Sequence, residues 1–336
     1  MMPVHTCELG ENVKTLLSAA SVHTCEPDKK GNKPAMEDSK EAITKAQLRL
    51  FNGAMAIQQE EARDAKAIKF MARSMVLATL PHSDPGDIPA WGRKNGGYSL
   101  VIQPGYSIDD QGSAKSIGIP FGVVPRLLLC WLTTEAVKTR EREIVLGSSL
   151  SDFMRKIDML PTGGQKGSIT RLKNQSIKLF SSSISCVYNG ENEFARVSLP
   201  VTDKTYLWWD PKNPDQVSLW KSAIVLGKEF FDEIITRPVP VDFRALKALK
   251  GSPLLLDIYT WLTYRVSYLG KPTVIPWESL AAQFGSNYAR IEDFKANMKR
   301  CLKKVLIVYS DANVEPTKTG LLLKPSRTSV SIGVKF

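Results

Sequence analysis

Two His-x-Cys pairs, His5 with Cys7 and His23 with Cys25, lie inside the near-repeats PVHTCE (3–8) and SVHTCE (21–26). All four side chains are zinc ligands by type, but paired ligands usually stand about two to four residues apart, and an i,i+2 pair strains a tetrahedral centre. The expectation is a duplicated tail that holds no metal, and no other cofactor is expected. GGQKGS (163–168) has the glycine content of a phosphate-binding loop but not the order GxxxxGK[ST], because Lys166 precedes Gly167. The histidines all fall within the first 82 residues, no tyrosine has the context of a DNA nickase, and the carboxylates are too scattered to specify a metal pair. The sequence therefore predicts a binding protein and not an enzyme.

Charge suggests what is bound. The 336-residue chain carries 45 Lys and Arg against 34 Asp and Glu, a formal charge of +11. Residues 237–336 hold 16 basic and 7 acidic side chains, and residues 121–186 hold 10 and 5. A polyanion rewards a concentrated positive footprint, so two basic stretches separated by a balanced region fit double-stranded DNA. In the first stretch Thr170, Arg171 and Asn174 suit base edges, and Lys166 and Lys173 suit phosphates. Ser168, Gln175 and Lys178 complete that set. In the second stretch the candidates are Asn287, Arg290, Lys295, Asn297, Lys299, Arg300, Lys303 and Lys304, with Lys324 and Arg327 on a strand-like segment beyond. A solvated helix face is the competing reading of these residues, and the dipole of a helix C-terminus would by itself account for Lys303 and Lys304.

These side chains need elements to hold them. With 43% hydrophobic residues the chain can build cores. Residues 1–40 are polar and nearly free of aromatics, and an amphipathic helix is expected between 41 and 80, ended by Pro81, Pro85 and Pro89. GYSLVIQPGYSI (97–108) reads as strands about a Pro-Gly turn. From Pro125 a helix buries Leu127, Leu128, Trp131, Leu132 and Val137. A strand at 144–146 follows, then a helix capped by Ser149. A third helix starts near Ser168, a possible cap, and buries Ile169, Leu172, Ile177 and Phe180. The hairpin SCVYNGENEFARVSLPV closes the series around Asn189-Gly190. Gly163, Gly164 and Gly167 allow a tight turn close to a phosphate. Trp208, Trp209 and Trp220 read as core or domain-interface fillers. Cys130, Cys186 and Cys301 read as core thiols.

The same order recurs near the end: helix 252–269, strand TVIPW, helix WESLAAQF, helix from Ile291 through Val305, then strands in LIVYS and LLLKPSRTSVSIGV. WLTTEAV (131–137) matches WLTYRV (261–266), SSLSDF matches ESLAAQF, and Trp131 to Leu150 spans the same 19 residues as Trp261 to Leu280. The fold class expected is α+β: tandem winged-helix domains at 97–236 and 237–336 behind a helical or flexible N-terminal extension, 1–96.

The blocks PRLLLCWLTTEA (125–136), LGSSLSDFMRK (146–156) and PTGGQKGSITRLKNQ (161–175) resemble plasmid-encoded replication initiators of the RepA C-terminal-domain type, a theta-type, iteron-binding family. The similarity extends over roughly 100–336. It implies tandem winged helices, binding of direct repeats (iterons) at a bacterial plasmid origin, distortion or melting of adjacent DNA, and recruitment of the host replicative helicase and initiator protein. It also implies a possible homodimer, and lays the family's glycine-rich loop and following helix on Gly163–Gln175.

The first expectation is thus a non-enzymatic origin-binding protein. A transcriptional repressor of the same fold on an inverted repeat is the second, and a module whose basic faces meet acidic proteins is the third. No apolar run approaches the roughly 18 residues of a membrane span. Few, unpaired cysteines and no secretory signal at Met1 make the cytoplasm the expected location.

Overall fold

The structure, a computed structural model, describes residues 44–189, 194–207, 212–216, 222–285 and 288–331. His5, Cys7, His23, Cys25, Trp208, Trp209, Trp220 and Asn287 lie outside these residues. Elements are numbered in chain order. Helix α1 (Lys45–Gln59) begins at a capping box in which Thr44 accepts from the Gln47 amide at 3.2 Å and Gln47 accepts from the Thr44 amide at 2.8 Å. It stops at Glu60, well short of the helix expected to continue toward Pro81. The chain reverses through Lys66 (φ 52°) and re-emerges as β1 (Ile68–Met71), because Phe70 and Met71 are buried there in a strand pairing that outweighs local helix propensity. A single turn, α2 (Arg73–Leu77), follows.

Strands β2 (Trp91–Asn95), β3 (Tyr98–Gln103), β4 (Tyr106–Ile108) and β5 (Ala114–Ser116) come next. Then follow α3 (Val123–Thr139), β6 (Glu143–Val145), α4 (Leu150–Lys156) and α5 (Ser168–Ser181). After them come β7 (Ser183–Asn189), β8 (Phe194–Ser198), β9 (Thr202–Tyr206), β10 (Ala223–Leu226) and α6 (Lys228–Thr236). The last third holds β11 (Val239–Asp242), α7 (Phe243–Leu249), α8 (Pro253–Val266), β12 (Thr273–Pro276) and α9 (Trp277–Phe284). It ends with α10 (Ile291–Val308), β13 (Val314–Pro316) and β14 (Gly320–Leu323).

The architecture is mixed α+β, with helices around several small antiparallel sheets, consistent with winged-helix-like units. Two of the sheets have three strands each, in the orders β6-β10-β9 and β12-β14-β13. Each is preceded by a long buried helix and interrupted by two further helices, so the sequence helix–strand–helix–helix–strand–strand occurs twice with one pairing order, first–third–second. The aromatic cores repeat as well. Trp131 of α3 meets Phe153 of α4 edge-on at 5.1 Å and 77°, and Trp261 of α8 meets Phe284 of α9 at 5.3 Å and 79°. Laying WLTTEAV on WLTYRV brings the two tryptophans into register, and Phe284 falls one residue beyond the position of Phe153.

Two further expectations fail. The hairpin at 183–198 does not close the first unit: β7 and β8 join β2 and β3 in a four-stranded sheet, where Leu100 faces Cys186 and Ile102 faces Ile184. The pair that closes the unit is β9–β10, with Ile224 opposite Ile144 of β6. LIVYS is not a strand, since α10 runs on to Val308 with Val305 and Val308 buried. The thiols Cys130, Cys186 and Cys301 are buried as expected.

One hydrophobic core gathers buried residues between Ala72 and Ile234, and the other those from Val239 to Leu323 together with Ala54, Met71, Val76 and Cys130. Between the long helices α3 and α8 lies a buried ion pair. Arg126 donates from Nε to Asp257 Oδ1 and from Nη2 to Oδ2, both at 2.7 Å. Its remaining N–H groups reach the carbonyls of Leu80 (2.7 Å), Pro81 (3.2 Å) and Gly122 (2.7 Å). His82 Nε2 donates to Asp257 Oδ2 at 2.8 Å. Burial works to raise the Asp257 carboxyl, yet Arg126 and His82 hold it below the usual carboxylate range. Burial lowers the His82 imidazole against the pull of Asp257.

Removing one member of this trio leaves a buried charge. Asp257→Ala should cost about 3–5 kcal/mol in urea denaturation, whereas the double variant Arg126→Leu/Asp257→Leu should recover most of that loss. The pH dependence has a definite sign. A lowered His82 pKa means the unfolded chain holds more protons below about pH 6.5, so stability falls on acidification through that value. His82→Gln should flatten this limb when the denaturation midpoint is followed against pH.

Candidate nucleic-acid interface

The loop before α5 closes on itself. Gly164 has φ +86°, open to glycine at little strain, and at Gly167 an added Cβ would lie 2.3 Å from the carbonyl oxygens of both Thr162 and Gly163. Gly167, not Ser168, is the N-cap of α5. The Ser168 hydroxyl is turned inward, accepting from the Thr162 amide at 2.9 Å and donating to the Leu160 carbonyl at 2.5 Å. Thr170 Oγ1 donates to the Gly164 carbonyl at 2.8 Å, which ties the first turn of the helix to the loop.

Helix α5 buries Ile169, Leu172, Gln175, Ser176 and Leu179. The expected apolar face is therefore misphased at its C-terminal end: Leu179 is inside, whereas Ile177 is 37% exposed and Phe180 half-buried. Gln175 is inside because its Oε1 accepts from the Phe121 amide at 2.8 Å. Lys178 is half-buried over the Phe121 ring, 4.9 Å from its centroid, and 3.8 Å from Asp84. The exposed side of the loop and helix then consists of Lys166, Arg171, Lys173 and Asn174, with Thr170 at its margin. Among the described residues no carboxylate pairs with Lys166, Arg171 or Lys173. Of the eight residues expected in this set, the structure brings five to one solvent face and uses Ser168, Gln175 and Lys178 in the scaffold.

In the second unit the basic side chains are divided. At the start of α10, Arg290 forks onto Asp293 at 3.0 and 3.1 Å, and Lys295 lies 4.0 Å from Glu292. Hydrogen bonding to Asp293 keeps the Arg290 guanidinium charged. Asn297 is half-buried and bridges Tyr288 (2.5 Å) and Arg300 (2.6 Å). Lys299 lies over Trp277 at 5.6 Å. Lys299, Arg300, Lys303 and Lys304 are exposed and form the positive half of the helix. Lys324 pairs with Glu315 at 2.6 Å and Arg327 with Glu61 at 2.6 Å, and the described residues 324–331 that hold them form no strand. Sequence reasoning missed Lys204 on β9 and Lys318 in the β13–β14 turn, both exposed. The turn signal Thr317-x-x-Gly320 was present: Thr317 Oγ1 bonds to both the carbonyl and the amide of Gly320. Nothing local announced β9, whose partner β10 lies beyond 16 intervening residues. No group of three metal-ligating side chains occurs among the described residues, and no helix among them is long and apolar enough to cross a membrane.

Comparison with known proteins gives two likenesses. The family model described as "Plasmid encoded RepA protein" matches residues 119–278, which run from the approach to α3 through the first turn of α9. The solved structure of domains 2 and 3 of RctB, crystallised as selenomethionine derivatives, is similar over 77% of this chain and 99% of that one. Its TM-score is 0.48 at 13% identity. No curated protein matches.

The loop geometry predicts that Gly167→Ala forces the Thr162 and Gly163 carbonyls apart and costs about 1–3 kcal/mol in chemical denaturation. Gly163→Ala, where an added Cβ meets nothing within 4 Å, should leave stability within about 0.5 kcal/mol of the parent.

Proposed function

We propose that this chain is a plasmid replication initiator that acts as a sequence-specific double-stranded-DNA-binding protein. The observation that carries the proposal is the solvent face of Lys166, Arg171, Lys173 and Asn174 on the third helix of a unit whose counterpart recurs in the second half. The match to plasmid-encoded RepA over 119–278 supports replication as its setting. In this reading both units are winged helices, divided near residue 236. Helix α5 enters a major groove, where Arg171 and Asn174 read base edges and Lys166 and Lys173 take phosphates. The β9–β10 and β13–β14 hairpins are the wings, with Lys204 and Lys318 on the backbone. In the second unit the phosphate load falls on Lys299, Arg300, Lys303 and Lys304, and Arg290 and Lys295 join it only by exchanging Asp293 and Glu292 for DNA. Two such units on successive grooves of one direct repeat would convert binding energy into local distortion, the step before melting and recruitment of host replication proteins. Such work needs no active site.

The test is a footprint on DNA of the parent replicon across a salt series. Protection of regularly spaced direct repeats is expected, with Arg171→Glu and Lys173→Glu each weakening binding at least tenfold. Lys173→Gln should lower the slope of log K against log salt by about 0.9, as loss of one phosphate contact requires. Protection confined to a palindrome would instead indicate a repressor, and no protection at any salt would remove DNA reading altogether.

A further inference from the structure

Nine buried side-chain polar atoms among the described residues have no hydrogen-bond partner. Four of them, Arg73 Nε, Ser74 Oγ, Glu233 Oε2 and Thr263 Oγ1, belong to residues lining two adjoining clefts on the side of the molecule where α2 meets α6 and α8. A buried donor or acceptor without a partner costs about 1–3 kcal/mol, so this concentration at one place asks for a cause. The clefts, of about 450 and 520 Å³, share two walls, Arg73 and Arg237. Neither guanidinium has a carboxylate within ion-pair distance among the described residues.

Ser267 and Thr328 line the smaller cleft, but their hydroxyls donate to the Tyr264 carbonyl at 2.7 Å and the Val330 carbonyl at 2.6 Å; what the cleft offers is the two guanidiniums with the Thr263 hydroxyl. That is a donor set for an oxyanion, and Arg suits phosphate in particular because its planar fork matches two oxygens at once. Flat walls flank it: Pro238 and Pro240, and the Tyr264–Tyr268 ring pair at 5.1 Å. In the larger cleft Glu233 accepts from the Ser74 amide at 2.7 Å through one oxygen, and its other oxygen is buried without a partner. Burial raises this carboxyl above its ordinary range against the opposing pull of the Ser74 hydrogen bond and Arg73, and with Glu229 and Asp232 on the same walls the larger cleft disfavours an anion. The dimensions are those of a small-molecule site and too small for a folded partner.

We propose that the smaller cleft binds a nucleoside phosphate, with the phosphoryl group between Arg73 and Arg237 and the Thr263 hydroxyl, and the planar base against the proline and tyrosine walls. The site stands apart from the exposed face of α5 and holds whether or not that face reads DNA.

The experiment is calorimetric titration of the full chain, without DNA, using ADP, adenosine and inorganic phosphate. ADP should bind, with adenosine and phosphate each at least tenfold weaker. Arg237→Gln and Arg73→Gln should each reduce ADP affinity at least tenfold. Thr263→Val is the variant that separates binding from folding: its hydroxyl has no partner in the free protein, so thermal stability should hold or rise while ADP affinity falls. No heat with millimolar ADP would overturn the proposal. Binding undiminished in all three variants would overturn it too, because the nucleotide would then lie elsewhere. Phosphate binding as tightly as ADP would remove the base from the site.

Discussion

Arg126 has five N–H groups and the structure uses every one of them: two on Asp257 and three on the carbonyls of Leu80, Pro81 and Gly122. A guanidinium carried into a dry interface is tolerable only with its charge matched and its donors filled, and here both conditions are met by groups from different parts of the fold. Asp257 belongs to the long helix of the second unit, Arg126 to that of the first; the Leu80 and Pro81 carbonyls belong to the segment that leads from β1 into the first sheet, and Gly122 is the N-cap of α3 itself. The three are therefore fixed relative to one another by directional bonds. Apolar packing between α3 and α8 supplies attraction but tolerates sliding, whereas a forked ion pair has one good geometry. The net stabilisation from such a pair is small beside the cost of breaking it, so its role is to set the angle between two similar units.

That angle matters because the units are alike in topology but not in surface. The exposed face of α5 is unpaired and begins at the helix N-terminus, and in α10 the first turn carries Glu292 and Asp293, with the positive residues in the second half. Carboxylates at a helix N-terminus are favourable for the helix and unfavourable toward a phosphate backbone. The two units thus share a core arrangement, down to the Trp–Phe edge contact, and differ in their outward faces.

The sequence was legible where burial and local chemistry agree. Helices α3 and α8 and the Ser149 cap, which accepts from the Asp152 amide at 3.1 Å, all followed from apolar runs and short-range signals, and the repeat followed from shared residues at equal spacing. What could not be read was non-local. The helical composition of 60–75 gave way to β1 because its partner, β11, lies about 170 residues on, and no window includes both. The closing hairpin is expected in SCVYNGENEFARVSLPV because Asn-Gly is a strong hairpin signal, and β7 and β8 do pair, but which sheet such a pair joins is a tertiary decision. Gln175 read as a surface residue since glutamine usually is one, until the Phe121 amide gave its carbonyl a buried partner.

The same reasoning explains why counting basic residues overstates a binding face. Lys178, Arg290, Lys295, Lys324 and Arg327 contribute to net charge, yet each has an anionic neighbour within 4.0 Å. To meet a phosphate such a side chain must first give up its partner, and an exposed pair yields about 0–1 kcal/mol on forming, so the exchange is nearly neutral. Among the described residues, Lys166, Arg171 and Lys173 face no such exchange. Their field is uncompensated before any ligand arrives, and a phosphate gains the whole of the interaction. A small free set on a rigid helix, held by a loop that tolerates no Cβ at Gly167, can therefore dominate recognition over a larger set already neutralised.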